Sequence, residues 1–287
     1  MNFFCFGLGY SALASLAALR EQMPQIRLSG TVRTPEKAQA LRAQGINAHL
    51  FDDPSPALAD EIRAATHVLV SIAPDEAGDP VLLHHAATLD AARDLQWLGY
   101  YSTVGVYGDF DGAWIDETAP LAPRNARSDR RVLAEQGWRD YAQSRALPLA
   151  ILRLAGIYGP GRSPLTKLLD GTAHRIVKPG QVFNRIHVAD IAQATALAAL
   201  QRLDGTYNVS DDEPAPPQDV VTYAATLLGV APPPEIPYAS ADMTPMARSF
   251  YADNKRISNA ALKRALGLTL LYPTYREGLA SLSEPRS

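Results

Sequence analysis

Cysteine is nearly absent from this sequence. Cys5 is the single one in 287 residues, so no intrachain disulfide can form, which fits a reducing compartment. It lies in an apolar strand pattern, where a small buried hydrophobe is expected rather than a reactive thiol. Blocks of one charge are missing as well. The formal net charge is -3 and no run of Lys and Arg occurs, which argues against the electrostatic footprint of a nucleic-acid binder. No uninterrupted apolar run reaches the roughly 18 residues of a membrane span. Phe3 to Leu19 is apolar and Ala-rich enough to resemble a signal peptide, yet no Lys or Arg precedes it and two glycines interrupt it; a cytoplasmic protein is the expectation. No His, Cys, Asp and Glu set has metal-ligand spacing, Asp211-Asp212-Glu213 being too contiguous, and nothing repeats at a solenoid period.

What is present begins at the first residues. Asn2-Phe3-Phe4-Cys5-Phe6 has the length of a strand and stops at Gly7-Leu8-Gly9-Tyr10-Ser11-Ala12, the small-residue form of the dinucleotide-binding turn. The first glycine allows the tight turn, the second admits backbone to a pyrophosphate, and the third small residue lets helix and strand pack closely. Leu13, Leu16, Leu19 and Met23 then recur at helical spacing, so the turn opens a helix whose N-terminus can hold phosphate. Ile26 to Val32 reads as the returning parallel strand.

Strand and helix patterns alternate from there. Thr34, Pro35 and Gly45 bound a helix; His49 to Phe51, His67 to Ser71, Gln96 to Thr103, Ala150 to Arg153 and Thr206 to Val209 read as strands. Pro56 to Ala65, Pro80 to Ala92, Arg127 to Ser144 and Val188 to Leu200 read as helices. This alternation predicts an α/β fold, a Rossmann-type doubly wound parallel sheet. Gly156-Ile157-Tyr158-Gly159-Pro160-Gly161-Arg162 reads as a loop at its carboxyl edge. Prolines thicken after Asp211, with short helices near 218–228, 258–266 and 275–282. The expected organisation is a cofactor domain over 1–160, to which 186–210 return, and a small C-terminal substrate lobe over 161–185 and 211–287.

These residues resemble the extended short-chain dehydrogenase/reductase superfamily, its NAD-dependent epimerase/dehydratase group. The matching stretches are Gly7 to Ala12, Ser102 to Gly108, Asp116-Glu117, Arg153 with Gly156 to Gly161, Arg185 to Ala192, and Asn208 to Asp211. The resemblance implies a Ser/Thr, Tyr and Lys triad, in which a tyrosinate is the acid/base and the ammonium lowers its pKa and holds the nicotinamide ribose. Its Ser/Thr position falls on Thr103. With Glu135 as the downstream acidic anchor, Arg127 stands where the tyrosine belongs and Arg131 where the lysine belongs. A guanidinium has a pKa above about 12 and accepts no proton at neutral pH, although Arg131 can still hold ribose hydroxyls. The chain is thus similar to an atypical subgroup that keeps the cofactor fold.

By the same resemblance the cofactor contacts are Gly7, Gly9, Tyr10, Ser11, Ala12, Arg33, Asp52, Ser71, Ala73 with Pro74, Thr103, Arg131, Ala155 and Ile157. Arg33 ends the second strand where NAD enzymes place an acid, so NADP is expected, with NAD as the alternative. Tyr100, Tyr101, Tyr107 and Tyr158 are candidates to replace the lost base, against the simpler role of packed aromatics. His187 is a catalytic candidate, Asp190 a helix-positioning one, and Lys178, Asn184 and Arg185 can meet an anionic substrate. His84 and His85 are expected at the surface. Two functions follow: an oxidoreductase or epimerase acting on a sugar-nucleotide-like or small carbonyl or hydroxyl substrate, or a non-catalytic NADP-binding sensor. Either is expected as a monomer or homodimer.

Overall fold

The computed structural model describes residues 1–53 and 55–283. Seven strands make the central sheet: β1 (Asn2–Phe6), β2 (Arg27–Val32), β3 (Asn47–Leu50), β4 (His67–Val70), β5 (Trp97–Thr103), β6 (Leu149–Leu154) and β7 (Gly205–Val209). Their order is β7-β6-β5-β4-β1-β2-β3. β1 pairs in parallel with β2 and β4, β2 with β3, and β4 with β5. The order reverses between β1 and β4, as a doubly wound sheet requires, and ligands of such sheets bind outside the carboxyl ends there. This is the Rossmann-type α/β fold expected. Phe3 to Phe6 and all of β4 and β6 are buried, the two-faced burial of parallel strands covered by helices.

The helices start where capping chemistry starts them. In α2 (Pro35–Arg42) the Thr34 side chain accepts from Lys37 N–H, in α3 (Pro56–Arg63) Ser55 accepts from Leu58 N–H, and in α4 (Pro80–Asp90) Asp79 accepts from Val81 and Leu82 N–H. Each has proline in its first turn, where no amide bond is lost. α1 (Tyr10–Gln22) differs: Gly9 at its start offers no side chain, and no acid stands in its first turn. α5 (Ala126–Ser144) is the longest, at 19 residues, and α6 (Val188–Leu200) follows β6.

Two compact units divide the chain. The first is 1–103, 126–153 and 191–207; the second is 104–125, 154–190 and 208–283 among the described residues. The second unit thus begins at Val104, well before the boundary expected at 160, because the segments after β5 and β6 make their own ladders. Gly156–Tyr158 pairs with Arg185–His187, Trp114–Ile115 with Arg256–Ile257, and Arg175–Val177 with Glu235–Pro237, all parallel. The stretch read as a loop from Gly156 therefore opens as a strand. In the first unit Phe4, Phe6, Val68, Val70, Leu98, Trp138 and Ile151 form one core. In the second, Tyr158, Leu165, Val220, Tyr275 and Leu279 form another.

Candidate active site

The dinucleotide turn has the backbone its sequence asks for. Gly7 sits at φ +90°, and a Cβ there would stand 2.7 Å from Ile72 Cγ1. Gly7 N–H donates to Thr31 Oγ1 (3.0 Å) and Leu8 N–H to the Thr31 carbonyl (2.8 Å). At Gly9 a Cβ would meet only the Gly7 carbonyl, at 4.0 Å, so its missing side chain leaves open space. Ala12 is fully buried. With no capping side chain and no acid in its first turn, α1 presents its positive dipole end to an anion. These residues fit the pyrophosphate of a dinucleotide.

Other expected cofactor residues of the first unit follow the carboxyl ends of neighbouring strands. Arg33 follows β2 and is exposed, with no hydrogen bond or ion pair among the described residues. Asp52, after β3, is exposed. Ser71 N–H donates to the Phe6 carbonyl (2.9 Å); Ser71 and Pro74 are half-buried and Ala73 is exposed. Thr103 ends β5, half-buried. Sheet order thus carries Arg33, Gly7, Ser71 and Thr103 along one edge, strand by strand. Ala155 and Ile157 belong to the second unit, where Ala155 N–H donates to the Val209 carbonyl (3.0 Å).

The orientation of α5 is set by a buried charge cluster. Glu135 is 0% exposed and Arg153, on β6, 3%. Arg153 grips the carboxylate with Nε (3.0 Å) and Nη2 (2.6 Å), and Ser102 Oγ donates to it (2.6 Å). Arg139, one turn on, adds a contact at 2.9 Å. Burial alone would raise the Glu135 carboxyl, but the hydrogen bonds and charge of Arg153 outweigh it and hold it below the usual range. Residues 127, 131 and 135 are four apart and share a helix face. Arg131 Nη1 donates to the Tyr100 hydroxyl (2.9 Å) and to the Tyr101 carbonyl (2.7 Å). Arg127 is exposed one turn earlier.

Each candidate tyrosine has structural employment. Tyr101 bonds Ser15 (2.7 Å) and Thr195 (2.8 Å). Tyr107 donates to Asn208 Oδ1 (2.8 Å), and Tyr158 to the Thr274 carbonyl (3.4 Å). Burial pushes Tyr100, Tyr101 and Tyr158 up, with Arg131 opposing at Tyr100 and the Ser15 bond opposing at Tyr101. None of the three is poised to lose a proton near neutrality.

The second unit holds a separate buried polar cluster. His187 lies between Tyr158 (5.1 Å) and Tyr272 (4.2 Å), and burial lowers it to about 4. Asp190, in the first turn of α6 and expected to position its helix, accepts from Leu271 N–H (2.6 Å) and Tyr272 N–H (3.2 Å). Burial raises it to about 6, against those two bonds. Asp211 is 1% exposed, and burial pushes it up to about 8 against the pull of the Arg185 guanidinium. Arg185 donates to the Phe183 and Ala215 carbonyls, Lys178 to the Tyr251 carbonyl, and Asn184 bridges the Lys255 carbonyl and Ile257 N–H. All three expected anion contacts are thus engaged with the unit's own backbone. His84 is exposed as expected, whereas His85 is half-buried against Phe6 (5.3 Å) and Phe51 (5.1 Å). No group of His, Cys, Asp and Glu among the described residues can hold a metal ion. No helix among them is long and apolar enough to cross a membrane.

Asp79 escaped the sequence reading. It caps α4 and accepts from Trp138 Nε1 on α5 (3.0 Å); Asp79-Pro80 at a helix start was the available signal.

A model of the NAD dependent epimerase/dehydratase family matches residues 51–210. The chain belongs to this family. Among solved structures, a conserved protein of unknown function from Silicibacter pomeroyi DSS is 48% identical, with 98% of this chain and 97% of that one covered and a TM-score of 0.88. A dTDP-glucose 4,6-dehydratase from Bacillus anthracis, solved in complex with NAD, shares the fold at 16% identity and a TM-score of 0.79, covering 99% and 96%. Among curated proteins, a 3-diazoavenalumate denitrifying reductase of a Streptomyces species is 29% identical over 142 residues. That match spans 45% of this chain, and the chain spans 45% of that relative's length. NAD(P) binding is the family property this chain carries.

Proposed function

We propose that this family member is an NADP-linked oxidoreductase acting on a small carbonyl or hydroxyl substrate, of sugar-nucleotide type or simpler, as a cytoplasmic monomer or homodimer. The observation that carries the reading is the edge of the first unit, where an open glycine turn and an uncapped helix stand beside Arg33. A 2′-phosphate supplies the partner that the Arg33 guanidinium lacks, and no acid ends β2 to accept two ribose hydroxyls. The NAD complex of the dehydratase and the reductase among the curated relatives support the class.

The bound cofactor would supply the hydride. Thr103 orients the substrate oxygen. Arg127 and Arg131 stand in the places of the tyrosine and lysine, and neither can take or give a proton near neutral pH. Arg127 contributes fixed positive charge near the oxygen on which negative charge develops, and the proton comes from water. The second reading, a sensor that binds NADP without turnover, draws on the same missing tyrosine. Structure determination with NADP, together with NADPH consumption across sugar nucleotides and small aldehydes and ketones, separates the two. NADPH bound with turnover of one class is expected; NADPH bound with no turnover across the panel contradicts the oxidoreductase reading.

A further inference from the structure

We propose that Arg131 is the anchor for a carboxylate on the substrate, with Arg127 one turn earlier adding charge, so that the substrate class is a carbonyl compound bearing an acid group. The inference rests on the oxidoreductase reading for what is transformed, but its binding half stands apart from turnover.

Other arginines of this region are paired with carboxylates. Arg130 meets Glu76 at 2.9 Å, Arg139 meets Glu135 at 2.9 Å, Arg145 meets Asp90 at 3.2 Å and Arg153 meets Glu135 at 2.6 Å. Arg131 is half-buried and has no carboxylate partner among the described residues; its acceptors are the Tyr100 hydroxyl and the Tyr101 carbonyl. The nearby carboxylate of Asp79, whose field reaches Arg131, is spent on Val81 N–H, Leu82 N–H and Trp138 Nε1. Tyr100 cannot become the missing anion, because burial favours its neutral form. A half-buried guanidinium bonded only to neutral acceptors has no hydrogen-bonded counter-charge.

The geometry of the two bonds says which edge is left. Both use Nη1, and the Tyr100 ring lies 5.5 Å from the guanidinium carbon. The group is therefore anchored in one orientation, while Nε and Nη2 have no protein acceptor among the described residues. That pair of donors is the planar fork that binds a carboxylate by two parallel hydrogen bonds. Ribose hydroxyls, the other occupant of this edge, would accept hydrogen bonds but leave the charge unbalanced.

The test uses two aldehydes that differ in one charge, 4-carboxybenzaldehyde and methyl 4-formylbenzoate, with the NADPH-loaded protein. The carboxylate is expected to be favoured in kcat/KM by about ten-fold or more, mostly through KM. In Arg131→Gln the preference should fall to about unity with NADPH affinity retained, and Arg131→Lys should keep part of it. Calorimetric titration of benzoate and benzamide into the NADPH complex reads binding alone. Selective binding of benzoate without turnover of either aldehyde supports the anchor and sinks only the oxidoreductase reading. No benzoate selectivity in the native protein, an undiminished preference in Arg131→Gln, or a parallel loss of NADPH affinity in that variant, which assigns the edge to ribose, overturns it. Should Arg131→Gln fail to fold, the native pair comparison and Arg131→Lys decide.

Discussion

The two halves of α5 handle charge in opposite ways. At Glu135 a buried carboxylate is matched by the bidentate Arg153, by Arg139 and by Ser102. At Arg131, one turn earlier on the same face, a guanidinium rests on neutral oxygens. The first is closed on itself and fixes where the helix sits; the second is fixed in place but electrostatically open. A fold that satisfies one charge fully and leaves its neighbour incomplete is spending the second on a ligand.

The largest effect expected from breaking this comparison is at the closed end. Glu135→Ala leaves Arg153 buried without its counter-charge and should cost about 3–5 kcal/mol, read as a large fall in melting temperature. Glu135→Leu combined with Arg153→Met removes both charges and should recover much of it. If the single change is harmless, the helix is held by its apolar face alone. At the open end Arg131→Gln should leave the melting temperature nearly unchanged while altering substrate preference.

A second contrast lies between Gly7 and Gly9. Gly7→Ala must adopt a positive φ and collide with Ile72, so it should destabilise the fold. Gly9→Val meets open space and should fold normally yet lose NADPH binding, as thermal melting and fluorescence titration would report. Retained binding in Gly9→Val would mean that no pyrophosphate passes that position.

The polar cluster of the second unit gives a smaller, pH-dependent effect. Asp211 has a folded pKa raised to about 8, above its ordinary value of 3.8. The folded state therefore binds the proton more tightly than the unfolded state, so the stability Asp211 contributes is full at low pH and is lost as pH rises towards 8. His187, lowered to about 4, works in the opposite window, costing stability as pH falls from 6.5 towards 4. Melting temperature should decline between pH 6.5 and 8 and level off above it, and Asp211→Asn should flatten that decline. An unchanged slope in the variant would place the titration elsewhere.

What was legible in the sequence was local. Gly7 to Ala12 carries its turn, its helix start and its close packing within six residues, and Asp79-Pro80 starts α4 by the same local logic. The four-residue spacing of Arg127, Arg131 and Glu135 puts them on one face of α5. Their partners were not legible, because Tyr100 and Tyr101 come from a strand some thirty residues earlier and no periodicity says which hydroxyl meets which guanidinium. The same limit hid the Asp190 contacts with Leu271 and Tyr272, and the pairing that makes Gly156–Tyr158 a strand. Glycine-rich composition reads as a turn until a distant ladder partner is known.

Arg33 sets the cofactor choice if its partner is a 2′-phosphate. Dissociation constants of NADPH and NADH should be measured by fluorescence titration for the native protein and for Arg33→Ala. NADPH should bind the native protein more tightly than NADH, Arg33→Ala should weaken NADPH by about ten-fold or more, and NADH binding should be nearly unchanged. Equal losses for both cofactors, or native preference for NADH, would contradict a 2′-phosphate partner for Arg33.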